Sequence, residues 1–492
     1  MTKIPLRTKL LIAIGQKLVD KARASYKKRF KKDWPIVLIA GTAGKSSTTL
    51  LIQNMFVAEG WQVYGSATKT TCLNSLTGLI MVMGNFFLQF EGGQGSWHKF
   101  EFLVEAFWAA LFTNYNNLQE KSVLVFEVGF NEQNEADFFT KIFEGKATFL
   151  AVTNLTLEHS FGFSNRLDAA ALSKLEHLLP QSLGHLLLDS EKTNARLANT
   201  ALEQLKLLTC AKYAMVSTIL GTIENSWFSN YSGSWIEKKH TANRVQNRLE
   251  VDNRYLFPSE YLLPLTFAKT VGILEEIKQI FKLQIDLQQV LDGFSFPNGR
   301  FSLLKGVNNT VLVDSTYNSD PSSLISYLDL FEEILQLQKQ SVDMFGFIPK
   351  HNLILGEMRE LGKIAKVQHA LILDRVLEIG AKFPDRIESV KLIGKEWLEC
   401  NTDHIAKVDG GAAFIRYSKH FFKVFDSAKD IIDSLPEVSI TEGNWFWLKG
   451  SQNTIFLEGV TEYLLEDKSE AEEKLCRRGA EWTEIRSKWV EG

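Results

Sequence analysis

Cysteine is scarce and scattered. Cys72, Cys210, Cys400 and Cys476 lie far apart with no C-x-x-C pair, which excludes a zinc ribbon and a disulfide-stapled scaffold and fits buried free thiols in a reducing cytoplasm. Long apolar runs are also missing. The stretch from Gly78 to Phe90 falls short of the roughly 18 residues a spanning helix needs. Lys3, Arg7 and Lys9 precede Leu10 to Ile14, but no small-residue cleavage site follows, so a secretory signal is not expected. Neither sign of charge dominates. With 55 Lys+Arg against 58 Asp+Glu, a net charge of -3 and a pI near 6.4, no global attraction to nucleic acid exists. Compositional bias of the collagen, mucin or disordered kind is absent too, since 45% of residues are apolar and 23% charged, close to globular averages.

What is present is a chain of 492 residues, enough for about two to four domains with sizeable cores. Its charge is uneven: residues 1–33 carry eleven Lys/Arg against Asp20 and Asp33, a local +9, which leaves -12 for the remainder. Leu10, Leu11, Ile14 and Leu18 recur at helical spacing with Lys17 and Lys21 between them. Two readings stay open for this basic segment: an amphipathic helix making peripheral contact with an anionic membrane, or a solvated helix docked by its Leu/Ile stripe. Pro35 ends it, and Ile36 to Ala40 reads as a buried parallel strand.

Strand-like runs then alternate with helical patterns at Ser122 to Glu127, Thr148 to Thr153 and His185 to Asp189, the grammar of a parallel α/β sheet. Residues 210–265, with Trp227, Phe228, Tyr231 and Trp235, suggest a small antiparallel insert. A helical run from Leu265 to Lys282 follows, and Pro297-Asn-Gly299 marks a hinge turn. A second alternating series (Thr310 to Asp314, Asn352 to Gly356, Val390 to Gly394, Phe421 to Phe425, Trp445 to Lys449) predicts a Rossmann-like doubly wound domain. The predicted division is a basic helical segment 1–34, a nucleotide-binding α/β domain 35–298, a Rossmann-like domain 299–470 and a helical tail 471–492 containing Cys476, Arg477, Arg478, Trp482, Arg486 and Trp489.

The chemistry starts where the strand Ile36 to Ala40 runs into Gly41-Thr42-Ala43-Gly44-Lys45-Ser46-Ser47-Thr48 and an apolar helix. Strand, glycine loop and helix make a phosphate cradle: glycines admit backbone N–H groups to phosphate oxygens and the helix N-terminus adds partial positive charge. Lys45 is placed to bridge terminal phosphates and Ser46 to ligate magnesium. The general P-loop pattern has a glycine where Ile39 stands, so this is the narrower Gly-Thr-x-Gly-Lys-Ser form.

These residues resemble the Mur ligases, ATP-dependent amide-forming enzymes of peptidoglycan-precursor synthesis related to folylpolyglutamate synthetases. Val123 to Gly129 is similar to the family strand that ends in an acidic magnesium ligand, which makes Glu127 that ligand; a hard cation takes oxygen donors. Val152-Thr-Asn154 and His159 resemble the family segment whose His helps bind a second magnesium, and Lys174 sits where the family has a carbamylated, metal-binding lysine. Gly299-Arg300-Phe301 and Asp314-Ser-Thr-Tyr-Asn318-Ser-Asp-Pro321 are similar to the hinge arginine and the Asp-x-x-Tyr-Asn-x-x-Pro segment of the D-Ala-D-Ala-adding branch. The resemblance implies Arg300 at the phosphates, Asp314 at the linker or ribose and Asn318 at the nucleotide. Gly356 to Gly362 with His369, and Leu448-Lys-Gly-Ser451, resemble the same branch, with Ser315 and Gln452 replacing its usual Asp and Arg.

The resemblance implies an α/β fold, with a central P-loop ATPase domain and a C-terminal Rossmann-like ligase domain, covering about residues 35–465. It implies ATP and Mg2+ as cofactors, Lys45, Glu127, His159 and Lys174 as catalytic residues, and Gly41 to Ser47, Asn154, Arg300, Asp314 and Asn318 around the nucleotide. A peptidoglycan-precursor peptide and an amino acid or dipeptide are the implied cytoplasmic substrates, joined through an acyl phosphate. Only 34 residues stand where the branch carries a uridine-binding domain, so that domain is expected to be absent and the precursor to be held otherwise. A lipid-linked precursor ligase of the same fold and a catalytically silent nucleotide-binding scaffold are the alternatives.

Overall fold

The computed structural model describes residues 6–41, 44–67, 73, 75–86, 96–129, 133–153, 185–189, 223–231, 234–245, 247–345, 349–359, 361–400, 404–408, 412–417, 420–435, 440–450, 455–479, 482 and 485. The chain opens with helix α1 (Leu6–Phe30) and strand β1 (Ile36–Ala40). Then come α2 (Lys45–Ala58), β2 (Gln62–Gly65), α3 (Leu76–Gly84), α4 (Ser96–Phe112), β3 (Ser122–Glu127), α5 (Gln133–Phe143), β4 (Phe149–Val152) and β5 (His185–Asp189). Strands β6 (Ile223–Tyr231), β7 (Ser234–Val245), β8 (Arg248–Val251) and β9 (Tyr255–Leu256) follow, and helices α6 (Lys269–Phe281) and α7 (Leu287–Asp292) complete the first unit.

Its nine strands form one sheet in the order β2-β3-β1-β4-β5-β6-β7-β8-β9. The first five are parallel, and β1 lies between β3 and β4. An all-apolar strand suits this place because both faces must be covered. Side-chain alternation sends Ile36, Leu38 and Ala40 into a core shared with α1, α3, α4 and α5, and Val37 and Ile39 into one shared with α2, α6 and α7. The antiparallel strands β6 to β9 are not a separate insert: β6 pairs with β5 and extends the same sheet.

The N-terminal helix is likewise part of this unit. Leu11, Ile14 and Leu18 are buried in the first core, whereas Leu10 of the same stripe remains 45% exposed. Of the two readings the sequence left open, docking is what the structure shows, because the Leu/Ile stripe is consumed by the protein's own core. Part of the excess basic charge is consumed too. Lys21 Nζ donates to the carbonyls of Ala110, Leu111 and Thr113 at the end of α4, filling acceptors that a helix C-terminus leaves unpaired. The Arg29 guanidinium donates to the carbonyls of Asn116 and Leu118.

The second unit contains β10 (Ser302–Lys305), β11 (Val311–Ser315), α8 (Pro321–Phe345), β12 (His351–Gly356), α9 (Ala365–Lys382), β13 (Ile387–Ile393), β14 (His404–Val408), β15 (Ala412–Tyr417) and β16 (His420–Phe425). It closes with α10 (Ala428–Asp433), β17 (Trp445–Lys449), α11 (Glu458–Leu464) and α12 (Ala471–Lys474). The sheet order is β10-β11-β17-β12-β13-β16-β15-β14, parallel from β11 to β16 and antiparallel at both margins. One face is covered by α8 and α9, the other by α10, α11 and α12. The tail departs from the expected helix at Leu475, and Arg477 takes φ +53°, outside helical backbone.

Leu18→Ala is expected to destabilise the first unit by about 2–5 kcal/mol, the cost of a core cavity, while Leu6→Ala, at an 85% exposed position, should change stability by less than about 0.5 kcal/mol. Urea midpoints of the two variants check this. Equal midpoints would mean that α1 is not part of the core.

Candidate active site

Parallel pairing sets the site's location, since ligands of such sheets bind beyond the carboxyl ends of the strands. Strand β1 ends at Ala40, and its register with β3 (Ile39↔Glu127) brings Glu127 beside the start of the glycine loop. Glu127 is buried, and its backbone N–H donates to Ser66 Oγ at 2.8 Å. Gly44 precedes α2 at φ +79°, with no atom within 4 Å of where a Cβ would stand. Only glycine adopts this backbone without strain, and it leaves open space at the helix head. The first turn of α2 bears no acidic residue, and Ser46, Ser47, Thr48 and Thr49 are buried there. The amides and dipole of the α2 N-terminus thus favour an anion beside Lys45 and the buried Ser46.

A second group of residues approaches from the hinge. Gly299 has φ +76°, and a Cβ on it would lie 2.9 Å from Cys476 Sγ and 3.0 Å from the Tyr317 nitrogen, so the tight turn excludes any side chain. This turn delivers Arg300, whose Nη2 donates to Ser46 Oγ at 3.4 Å and whose guanidinium stacks 4.6 Å from the Tyr317 ring centre. Arg300 Nε is buried with no hydrogen-bond partner among the described residues. An unsatisfied buried guanidinium nitrogen is costly, and a phosphate oxygen is the kind of acceptor a forked cation matches.

The loop after β11 is braced from below. Lys449 Nζ donates to the carbonyl of Asn318, and Arg477 donates to the carbonyls of Thr316 and Tyr317. Arg477 also pairs with Glu458 at 3.2 Å, both almost fully buried, and its guanidinium lies 5.4 Å from the Tyr317 ring centre. Tyr317 therefore sits against two guanidinium groups, Arg300 and Arg477. The sequence reading placed Arg477 in a helical tail and gave it no role; nothing local in Leu475-Cys-Arg-Arg478 marks a contact with residues some 160 positions earlier.

The other expected site residues are distributed unevenly. Gly41, Gly44, Lys45, Ser46, Ser47 and Glu127 lie at the ends of β1 and β3 and the head of α2, and Arg300 reaches the same place. Asn318 is half-buried in the loop beyond β11. Asp314 is fully buried and accepts from Thr461 Oγ1 at 3.1 Å, so it ties β11 to α11. Burial pushes its carboxyl up to about 6, against the lowering effect of hydroxyl donors from Thr316 and Thr461. Thr42, Ala43, Asn154, His159 and Lys174, with Ser451 and Gln452, lie outside the described residues.

His369 braces the Gly356-Glu-Met358 corner. Nε2 accepts the Met358 N–H at 3.0 Å, and Nδ1 donates to the Ala365 carbonyl at 2.8 Å. Only the neutral ring can do both. Burial lowers its pKa to about 4, partly opposed by the Ala365 carbonyl. His351, buried beneath Trp445 and Trp447, is lowered by burial to about 3.

Both histidines have folded pKa values below the usual 6.5, so the unfolded chain takes up protons that the native state refuses. The stability they contribute is complete above pH 6.5 and is lost as pH falls toward about 4 and 3, each approaching a slope of about 1.4 kcal/mol per pH unit. His369→Gln should flatten the upper part of that decline in urea titrations between about pH 6 and 4. Arg477→Ala, which strands the buried Glu458 carboxylate, should cost the second unit about 3–5 kcal/mol in the same assay at pH 7. Wild-type behaviour of the first variant across that range, or of the second at neutral pH, would refute the corresponding assignment.

No protein-family model and no curated protein matches the sequence. Solved structures do. A crystal structure of MurF from Acinetobacter baumannii superposes with a TM-score of 0.54 at 14% identity, covering 92% of this chain and 80% of that one. MurF ligase from Thermotoga maritima in complex with ADP gives 0.52 at 14% identity, covering 93% and 84%. The chain has the mixed α/β fold with parallel sheets that these MurF ligase structures share.

Proposed function

We propose that this chain is an ATP-dependent ligase of the Mur type that joins a substrate carboxylate to an amine through an acyl phosphate. The observation that carries this reading is the approach of Arg300, from the hinge, to Ser46 at the head of α2. A cationic group from the second unit thereby meets the N-terminus of α2 in the first, in a fold shared with MurF structures.

In this reading a carboxylate oxygen attacks the γ-phosphorus of ATP and ADP leaves. The amine then attacks the acyl carbon, its proton passes to solvent, and phosphate departs with the former carboxylate oxygen. Lys45 and the α2 amides offset charge on the transferring phosphoryl group, and Arg300 holds the phosphates from the other side. Tyr317, fixed by Arg477, keeps the Arg300 guanidinium in plane. Ser46, at the head of α2, and Glu127, at the end of β3, are buried oxygen donors of the kind that suits a hard divalent cation. Magnesium held there supplies charge neutralisation at the phosphate oxygens. We assign Asn154 and Asn318 to the nucleotide, and His159 and carbamylated Lys174 to a second ion. The substrates are a peptidoglycan-precursor peptide and an amino acid or dipeptide such as D-Ala-D-Ala, met in the cytoplasm.

ADP release by the purified protein tests this, with Mg2+, ATP and muramyl-peptide acceptors (uridine-linked, lipid-linked and free) paired with D-Ala-D-Ala. Release is expected to require both acceptor and amine and to fall at least about 100-fold in Lys45→Ala, the scale for losing a charge-stabilising donor. Undiminished release by that variant would sink the reading. Nucleotide binding with no stimulation by any pair would replace it with a nucleotide-binding scaffold.

A further inference from the structure

Helix α4 presents a second face that the ligase reading does not use. Phe102, Ala106 and Ala110 are buried in the first core and Ala109 is buried beside them, while Phe100, Val104, Phe107, Trp108, Leu111 and Phe112 are between 36 and 66% exposed. These six recur at three- and four-residue intervals, so they form one continuous apolar stripe on the outer side of the helix. Trp108 and Phe112 stack on each other at 4.9 Å. A contiguous exposed aromatic face of this kind marks an interaction surface.

Its flank is basic. Lys21 Nζ touches the carbonyls of Ala110, Leu111 and Thr113, so the edge of α1 that carries Lys21 adjoins the end of this stripe. By helical spacing, Leu6, Leu10, Lys17 and Lys28 share that edge, and Leu6 and Leu10 are 85% and 45% exposed. Across α1, eight Lys/Arg stand against the single acid Asp20; on α4, the exposed Glu101 and Glu105 lie along one margin of the stripe.

We propose that the outer face of α4, with the basic edge of α1, is a docking surface for an anionic lipid bilayer. Aromatic and aliphatic side chains enter the headgroup region, and the adjoining lysines meet lipid phosphates. Charge selects this occupant over a second copy of the chain, because two-fold pairing of α4 on itself would bring together two α1 helices that each carry eight Lys/Arg against one acid. The contact differs from the one the sequence suggested: the α1 stripe is buried, and the bilayer meets α4 instead. The proposal does not depend on the ligase reading, since partitioning is read without turnover.

Co-sedimentation of the full chain tests it, with vesicles of phosphatidylcholine containing about 30% phosphatidylglycerol and with phosphatidylcholine alone. Expected are at least about tenfold stronger partitioning to the anionic vesicles, weakened by salt, and about a tenfold loss in the double variant Phe107→Ser, Trp108→Ser. Its thermal midpoint should match the wild type, because both positions are exposed, and Lys45→Ala should partition like the wild type. Wild-type protein left in the supernatant, or a double variant that sediments unchanged, would overturn the proposal. So would a wild-type dimer that the double variant converts to monomer, which would assign the face to a second copy.

Discussion

Arg300 is the group on which the two halves of the molecule converge. Its guanidinium is stacked on Tyr317 and directed at Ser46 Oγ, so one side chain couples the hinge to the head of α2. That position is held from behind. The Tyr317 loop is pinned by Arg477 and Lys449 through its own carbonyl oxygens, and Arg477 is fixed by the buried Glu458. A guanidinium with five rigid donors can satisfy two carbonyls and a carboxylate at once, which an ammonium cannot do in one plane. The cost of burying Arg477 and Glu458 together is offset in part by these hydrogen bonds, which tie the Tyr317 loop to α11.

The legible parts of the fold were those written in short-range pattern. Ile36 to Ala40, Asn352 to Gly356 and Trp445 to Lys449 are runs without alternation, and each became a strand covered on both faces. The glycine loop was legible because a left-handed residue at Gly44 and a helix starting at Lys45 are local requirements. What escaped was long-range. The strands β6 to β9 have antiparallel character in sequence, but nothing there says that β6 pairs with β5. Arg477 was invisible for the same reason. His369 was found as part of a motif, yet its work is to brace a corner, which only its two hydrogen bonds to Met358 and Ala365 disclose.

In the N-terminal helix, geometry decides which basic groups face outward. Lys21 and Arg29 donate to the chain's own carbonyls, Lys27 and Lys32 pair with Asp33 and Glu120, and Lys17 and Lys28 stand exposed on the outer edge of α1. Capping of α4 by Lys21 is also what sets the aromatic stripe of that helix against the basic edge of α1. The same residue therefore stabilises a helix end and defines the border between an apolar and a cationic surface. Neither segment has both properties alone; their packing creates the combination.

One buried group in the second sheet, Asp314, separates stability from chemistry. Asp314 stands at the carboxyl end of β11, where such folds place ligand contacts, yet it has no exposure and its carboxyl is pushed up to about 6 by burial. A group whose folded pKa lies above its unfolded value stabilises only when protonated, so at neutral pH the ionised Asp314 is held against its own preference by donors from Thr316 and Thr461. It anchors the strand end from which Thr316, Tyr317 and Asn318 project. The residues assigned to ligand in the proposed reaction are thus the half-buried members of a loop whose start, Asp314 to Thr316, is buried. That division lets the Arg300 side chain be placed by packing rather than by the nucleotide it is proposed to bind.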